Sequence, residues 1–454
     1  MRFNDVKLFC NYVIPTMFST LIWGSYSIVD AIFVGYSAGT TSLTAINLSY
    51  PIAMLTTAIG NLTGMGAGVL IGQYRGAKKL VRAAEVMGVM VVGQMLLCAI
   101  LIPTMFIGFP WILRTMGANG LLLEQASIYG RLMVLGAITT MLCMGLPVVI
   151  RNDGRPRLAM VLDVTGLLLN ILLDFLFVVV FDFTVVGAAW AIIVAETFEV
   201  IGCVLYFKLK KTKLPVSSKC FRMHWADFGQ ILRIGIPAFG MSLSMMAFLS
   251  FYNYQALKYG GEIGLTACAV VNEVIALLLL LVSGLAQGVQ PLASYLHGAR
   301  SYWRQNLMGR YGYFMAFGMG ILFVALMNFG AGMYPKLFDV TGVAAAEAVN
   351  ALHLMSWSFL FVGVIQVAAS YYQSTNKIFY SSLLIYGDTF CVLPLCLFIL
   401  PLYFGLDGVW LALPVSRVVL FLFLMLMWGK RIYKKFEKKM VNILGVEAVL
   451  GEPK

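Results

Sequence analysis

Residues 274–286 read "VIALLLLLVSGLA", thirteen residues in a row without a charge. Runs of this kind recur from one end of the chain to the other. The whole sequence is 61% hydrophobic and 11% charged, with a mean hydropathy of +0.88. Soluble domains average about 25% charged residues, so a chain with this few cannot cover its surface in water. Lipid is its solvent. In lipid every backbone polar group must be satisfied internally, which leaves helices or a closed barrel. Long unbroken runs favour helices, each needing about 20 apolar residues to cross a core of about 30 Å. No room remains for a sizeable soluble domain.

Working outward from 274–286, apolar helices are predicted at 11–33, 44–71, 86–108, 127–149, 158–181, 187–207, 236–257, 265–290, 311–333, 350–372, 380–402 and 408–428. The fold class is therefore an all-α polytopic membrane protein with twelve spans. Of the 32 Lys and Arg residues, Arg114, Lys258 and Lys336 fall in one set of connections and Arg131 and Arg417 fall inside helices. The remaining 27 fall in the other set and at the two termini. The positive-inside rule then places both termini in the cytoplasm. The net charge of +12 follows from this topology and the anionic inner leaflet, not from a nucleic-acid partner. The basic tail "KRIYKKFEKK" (430–439) is expected to lie on the membrane surface as a snorkelling cap.

An internal repeat runs at a constant offset. Ile14-Pro15 matches Ile236-Pro237, Gly39 matches Gly261, and "LTA" at 43–45 matches "LTA" at 265–267. Gly66 matches Gly288, and Gly76-Ala77-Lys78 matches Gly298-Ala299-Arg300. "GAAWA" (187–191) resembles "GVWLA" (408–412) with a one-residue slip. Each unit holds six helices, an even number, so both enter the membrane in the same direction. They are parallel lobes related by a pseudo-twofold axis along the membrane normal. The expected division is a first lobe at 1–207, a cytoplasmic linker at 208–235, a second lobe at 236–429 and a basic tail at 430–454.

A charge inside a bilayer costs at least a few kcal/mol, so intramembrane carboxylates are functional candidates. They are Asp30, Asp163, Asp174, Glu196, Glu199, Glu273 and Asp388. In the fifth helix Asp163, Asn170 and Asp174 fall on one helical stripe together with Gly166, which would admit a close neighbour. Asp30 belongs to the first helix of the same lobe. Carboxyl groups buried together can hold one proton between them. They can also chelate a hard cation, and Na⁺ would sit at Asp30, Asn170 and Asp174, with Asn170 adding a neutral oxygen. The alternative for each is a structural hydrogen bond. Glu196 and Glu199 are equally suited to pairing with Arg131 or Arg417. In the second lobe the candidates are Glu273 with Asn272 beside it, and Asp388.

The 26 methionines and the many aromatics suit a deformable apolar cavity, although most must pack against helices or lipid. Tyr252, Tyr254, Gln255, Tyr371 and Tyr372 are candidate cavity residues. The isolated histidines 224, 297 and 353 read as loop or interfacial residues. The eight cysteines are scattered without CxxC or Cys/His spacing, so no disulfide framework is expected. The N-terminus lacks a signal-peptide pattern, and the first helix is expected to stay in the mature protein.

Several stretches together resemble the multidrug and toxic compound extrusion (MATE) transporter family. They are "VDAIFVG" (29–35), "GMGAGVLIGQYRGAKK" (64–79), "RNDGRPRLAM" (151–160), "NILLDFLF" (170–177) and "GAAWA" (187–191). The resemblance covers essentially the whole chain. It implies an inner-membrane (plasma-membrane) antiporter that exports small organic cations or amphipathic drugs by rocking between two states, driven by H⁺ or Na⁺. It implies no other cofactor. A monomer in the lipid bilayer is expected. The resemblance also implies that Asp30, Asn170 and Asp174 form the cation site of the first lobe. Two features depart from the family. Ile192 stands where a small polar residue often follows the "GAA-A" of helix six, and helix seven lacks the acidic residue of some relatives.

A lipid-linked oligosaccharide flippase of the same superfamily would need a cationic cavity. Two arginines against seven acidic residues inside the helices favour cationic cargo instead. A major-facilitator transporter would carry an Asp-Arg pair in the loop after helix two, which here reads "GQYRGAKKL". An intramembrane enzyme would need a nucleophile or metal set. No HExxH occurs, "YGDT" (386–389) lacks the glycine of a protease loop, and no Asp-rich prenyl-diphosphate motif is present.

Overall fold

The apolar runs are helical wherever the structure describes them. The computed structural model describes the backbone of residues 3–37, 39–115, 117–209 and 211–444, and the side chains of these residues except 3, 26–32, 34–43 and 429–444. The first half comprises α1 (Phe3–Ser37), α2 (Gly39–Gly76), α3 (Leu80–Thr115), α4 (Gly120–Leu135), α5 (Ala137–Asn152), α6 (Pro156–Asp174) and α7 (Thr184–Lys208). The second comprises α8 (Trp225–Gly298), α9 (Tyr302–Phe329), α10 (Tyr334–Leu337), α11 (Gly342–Ser356), α12 (Phe359–Ser374), α13 (Ile378–Gly387) and α14 (Leu393–Leu444). Among the described residues there is no strand.

Twelve apolar segments emerge once the breaks are counted. Among the described residues, eight helical stretches are long and apolar enough to cross a membrane, and two bent pairs, α4–α5 at 45° and α11–α12 at 50°, each make one more. Two of the eight are themselves divided. Gly261 breaks α8 with φ +58°, and Gly405 breaks α14 with φ +56°. Both conformations lie in the left-handed region, which glycine adopts without a Cβ clash. The predicted spans 127–149 and 350–372 are thus bent rather than straight.

Among helix starts, that of α8 differs most from the sequence expectation. α8 begins at Trp225, well before the predicted 236. Its first turns carry Asp227 and Arg233, which depress hydropathy, yet Phe228, Ile231 and Ile234 bury on one face in the core of the first half. Amphipathic periodicity extends the helix where mean hydropathy cannot. The same exchange occurs in reverse: Phe9 and Val13 of α1 belong to a core of the second half. Each bundle lends its first helix to the other. The basic tail continues α14 as helix to Leu444, and its side chains lie outside the described residues.

The bundles meet tightly at the end that carries the basic connections. A Cβ on Gly76 would lie 2.0 Å from the Tyr295 carbonyl oxygen, and one on Gly298 would lie 1.9 Å from that of Gln73. Hydrogen bonds cross at the same end, from Gln73 Nε2 to the Ser374 carbonyl (2.9 Å) and from Asn152 Nδ2 to Gln290 Oε1 (3.3 Å). Further along, Thr20 Oγ1 donates to the Leu280 carbonyl (3.1 Å) and Asn61 Nδ2 to Ser242 Oγ (3.4 Å). Asp153 anchors the linker. It pairs with Arg75 (3.3 Å) and accepts from Tyr206 Oη (2.6 Å) and Thr212 Oγ1 (2.7 Å).

Candidate functional site

The site is built on α6. Pro156 opens the helix at a position where a missing N–H costs nothing. The buried residues of α6 are then Pro156, Ala159, Asp163, Gly166, Asn170 and Asp174. Their spacing of three or four residues makes one continuous stripe. Leu168 and Leu172 on the other side are exposed, as a lipid-facing surface requires. The stripe has two levels. At 1.5 Å per residue, Asp163 lies about 10 Å along the axis from Asn170, and Asn170 about 6 Å from Asp174.

The upper level holds Asn170 and Asp174, both fully buried. Neither polar atom of the Asn170 carboxamide has a hydrogen-bond partner among the described residues. A buried amide without partners is costly, so it calls for a ligand or a mobile neighbour. Immediately after Asp174 the chain changes to a π-helical segment, Phe175–Val180, a distortion often found at functional sites. Gly187 of the "GAA" motif lets α7 press against it: a Cβ there would lie 2.9 Å from the Phe177 carbonyl oxygen. Ile192 packs in an apolar cluster with Val178, Ala188 and Met133, so this neighbour offers no polar atom. The predicted partner Asp30 lies in α1, and its side chain falls outside the described residues.

The lower level centres on Asp163. Ser19 and Trp23 of α1, Glu199 of α7 and the Arg151 guanidinium lie within electrostatic range of its carboxyl, neither oxygen of which has a hydrogen-bond partner among the described residues. Sequence reasoning assigned Arg151 to a cytoplasmic connection; the structure instead buries it in the last turn of α5. The surrounding motif, "RNDGRPR", looks like a solvated basic loop, so nothing local marks this arginine as the buried one. Glu196 accepts from the hydroxyls of Thr139 and Thr140, each at 2.8 Å. Glu199 lies within electrostatic range of Arg151. Arg131 stacks over Phe106 at 5.1 Å, and Arg417 is ion-paired to Asp388.

The second bundle contrasts with the first. Asp388, at the start of its own π-helical segment Asp388–Val392, is neutralised by Arg417. Tyr252 stands at the repeat position of Asp30, and Cys396 at that of Asp174. Tyr252 is completely buried, stacks near Phe248 at 4.6 Å, and lies within electrostatic reach of Cys396 and Arg417. Gln255 is buried nearby without a hydrogen-bond partner among the described residues. Asn272 donates to Cys268 Sγ at 3.4 Å, whereas Glu273 is exposed and within electrostatic range of Tyr50 in the first bundle.

The five candidate cavity residues separate. Tyr252 and Gln255 are buried in α8, and Tyr254 is 60% exposed. Tyr371 and Tyr372 lie at the end of α12, within a different core. There Tyr371 donates to Asn306 Oδ1 (2.7 Å), and Tyr372 accepts from Trp428 Nε1 (3.0 Å). His353 contacts Asn328 Oδ1 at 2.6 Å and His224 the Arg222 carbonyl at 3.0 Å, both local structural contacts. Among the described residues no group of three or more His, Cys, Asp or Glu is placed to hold a metal ion.

A protein-family model, MatE, matches the chain twice, over residues 15–176 and 237–397. The chain is 26% identical over 421 residues to the multidrug export protein MepA of Staphylococcus aureus strain MSSA476, covering 90% of each chain. It is 25% identical over 415 residues to MepA of Staphylococcus saprophyticus, again covering 90% of each. In three dimensions it resembles a MATE protein crystallised with MaL6, with a TM-score of 0.89 and 24% identity over 96% of this chain and 97% of that one. It also resembles a multidrug-resistance MATE transporter in an outward-facing conformation, with the same TM-score, identity and coverage. A third structure in this group is a superfamily transporter from Pyrococcus furiosus described by the reversed polarity of its binding pocket (TM-score 0.88, 24% identity, 95% of this chain and 97% of that one).

Proposed function

The chain belongs to the MatE family of membrane transporters, and from that premise we propose that it is a cation-coupled antiporter exporting cationic or amphipathic organic compounds. It is a transporter and not an enzyme. The observation that carries the coupling is the buried stripe on α6, where the Asn170 carboxamide lacks a partner among the described residues beside the Asp174 carboxyl. A carboxylate and a neutral amide oxygen in a dry site suit H⁺ or Na⁺. Asp30 completes the set in this reading. The repeat supports it: Tyr252 and Cys396, the equivalents of Asp30 and Asp174, lie within electrostatic reach of each other in the second bundle. Asp30 is thus expected opposite Asp174.

The second bundle carries no equivalent carboxylates, and its Asp388 is already neutralised, so coupling is assigned to the first bundle alone. The positive-inside rule puts the joined, basic end in the cytoplasm of a plasma-membrane protein, both termini included. The bundles meet at this end through Gly76 and Gly298. Rocking about the glycine contacts of Gly76 and Gly298 would expose the other side. The chain works as a monomer in this account. A pyrophosphate-binding flippase is disfavoured because Arg417 is paired with Asp388 and Arg131 is stacked on Phe106.

The test is transport of a cationic dye by proteoliposomes under separately imposed Na⁺ and proton gradients. Drive by one gradient, abolished in Asp174→Asn, is expected. Uptake that ignores both gradients would overturn the coupling.

A further inference from the structure

A cavity of about 450 Å³ lies between α1 and α6, away from the buried stripe. We propose that it binds one anionic phospholipid, with an acyl chain in the groove and the phosphate at its basic mouth. Ile14, Phe18 and Ile22 of α1 and Met160 and Val164 of α6 form the walls. Ile14 is 44% and Phe18 54% exposed, so the groove opens sideways to lipid. From Asn11 to Ile22 the α1 wall rises about 16 Å, at about 1.5 Å per residue. One leaflet contributes about 15 Å, half of a hydrocarbon core of about 30 Å. The groove is therefore about as deep as the leaflet at the basic end of the molecule.

The mouth is where charge enters. Arg157, near the start of α6, donates from Nη2 to Asn11 Oδ1 at 2.9 Å and so bridges the two helices. That bond occupies one of the five N–H donors of a guanidinium. Arg157 is exposed, and no ion pair among the described residues includes it. Lys7 stands one turn before Asn11 on α1, also exposed and also outside those ion pairs. The lining residues include no carboxylate. A guanidinium with free donors suits a phosphodiester, which it can grip through two parallel hydrogen bonds. Basic pockets between membrane helices on the cytoplasmic side recognise anionic headgroups in this way. A cationic compound would find no counter-charge here, which separates this cavity from an export site.

The position gives the lipid a structural consequence. Phe9 and Val13, on the same stretch of α1, pack in a core of the second half, whereas Ala159 of α6 packs in a core of the first. A lipid seated between α1 and α6 covers a seam between the halves.

The experiment is photo-crosslinking of the full-length chain in lipid nanodiscs, read by peptide mass spectrometry. The probes are phosphatidylglycerol and phosphatidylcholine carrying the same diazirine-tailed acyl chain. Peptides holding Ile14–Ile22 and Met160–Val164 are expected to be labelled about fivefold more by the phosphatidylglycerol probe, the preference that one cation near a membrane surface supplies. The α9 peptide with Phe314 and Phe317, both exposed, is the reference for unselective lipid contact. Arg157→Gln should bring the ratio down to that reference, and Arg157→Lys should keep most of it. Val164→Trp fills the groove and should reduce labelling there by both probes. Arg157 is exposed, so the fold should survive its replacement, and unchanged α9 labelling checks that. Equal labelling of the groove by the two probes, or a preference that persists in Arg157→Gln, would overturn the proposal. Millimolar inorganic phosphate should not compete; loss of labelling in phosphate would assign the mouth to a free anion and overturn the lipid. The readout is binding, so it stands or falls separately from ion-coupled transport.

Discussion

Gly76 and Gly298 occupy equivalent places in the two halves, and each lies against the backbone of the helix that carries the other. A Cβ on either would come within about 2 Å of a carbonyl oxygen, at Tyr295 and Gln73 respectively. Backbone, not a flexible side-chain end, is what each would strike.

Gly298→Val is therefore expected to force the bundles apart at their basic end. Overpacking costs typically about 1–3 kcal/mol, enough to shift a two-state equilibrium about tenfold or more. Cysteine-accessibility labelling from the cytoplasmic side should rise at positions around Gln290 and Ser294, and transport should fall. Unchanged accessibility would mean that this crossing does not hold the closed end.

Asp388 and Arg417 are both buried. Asp388→Ala leaves the guanidinium uncompensated, which costs about 3–5 kcal/mol when a buried pair loses one partner. The double variant Asp388→Leu with Arg417→Met removes both charges and is expected to recover most of that loss. Thermal unfolding in detergent across this mutant cycle measures it. A pair that instead served transport directly would leave the double variant stable but inactive.

Ile192→Thr places a hydroxyl in the apolar cluster that Ile192 shares with Val178, four residues beyond Asp174. If Na⁺ is the coupling ion, an added oxygen ligand is expected to lower the half-saturating Na⁺ concentration by about tenfold, equivalent to about 1.4 kcal/mol. If H⁺ is the ion, the pH profile should stay within experimental error. Transport assays over a range of Na⁺ concentrations separate these cases.

Asp153→Asn is expected to loosen the linker. The residue pairs with Arg75 and accepts two side-chain hydroxyls, and its side chain is wholly buried. Removing the charge from such a network costs about 1–3 kcal/mol. Limited proteolysis between residues 209 and 224 should accelerate, with little change at the α6 stripe.

Much of this was legible in the sequence, for reasons that can be traced to particular residues. Asp163, Gly166, Asn170 and Asp174 recur at helical spacing among leucines, so a polar stripe on an otherwise apolar helix had to be buried. The repeat marked Gly76 and Gly298 as equivalent. What periodicity could not supply was pairing between helices. Glu199 comes within electrostatic range of Asp163 because α7 packs on α6, and Arg151 joins them because α5 ends inside the bundle instead of at its surface. Hydropathy also missed the first turns of α8, since Asp227 and Arg233 mask the buried face of Phe228, Ile231 and Ile234. The breaks at Gly261 and Gly405, by contrast, fall in the predicted connections 258–264 and 403–407.

The central claim is that carboxylates of the first bundle couple an ion to export. Its most direct measurement is gradient-driven dye transport by Asp30→Asn in proteoliposomes, beside a dye-binding measurement on the same purified variant. Gradient-driven transport is expected to stop while the protein remains folded and still binds dye. Transport at the wild-type rate under the same gradient would contradict it.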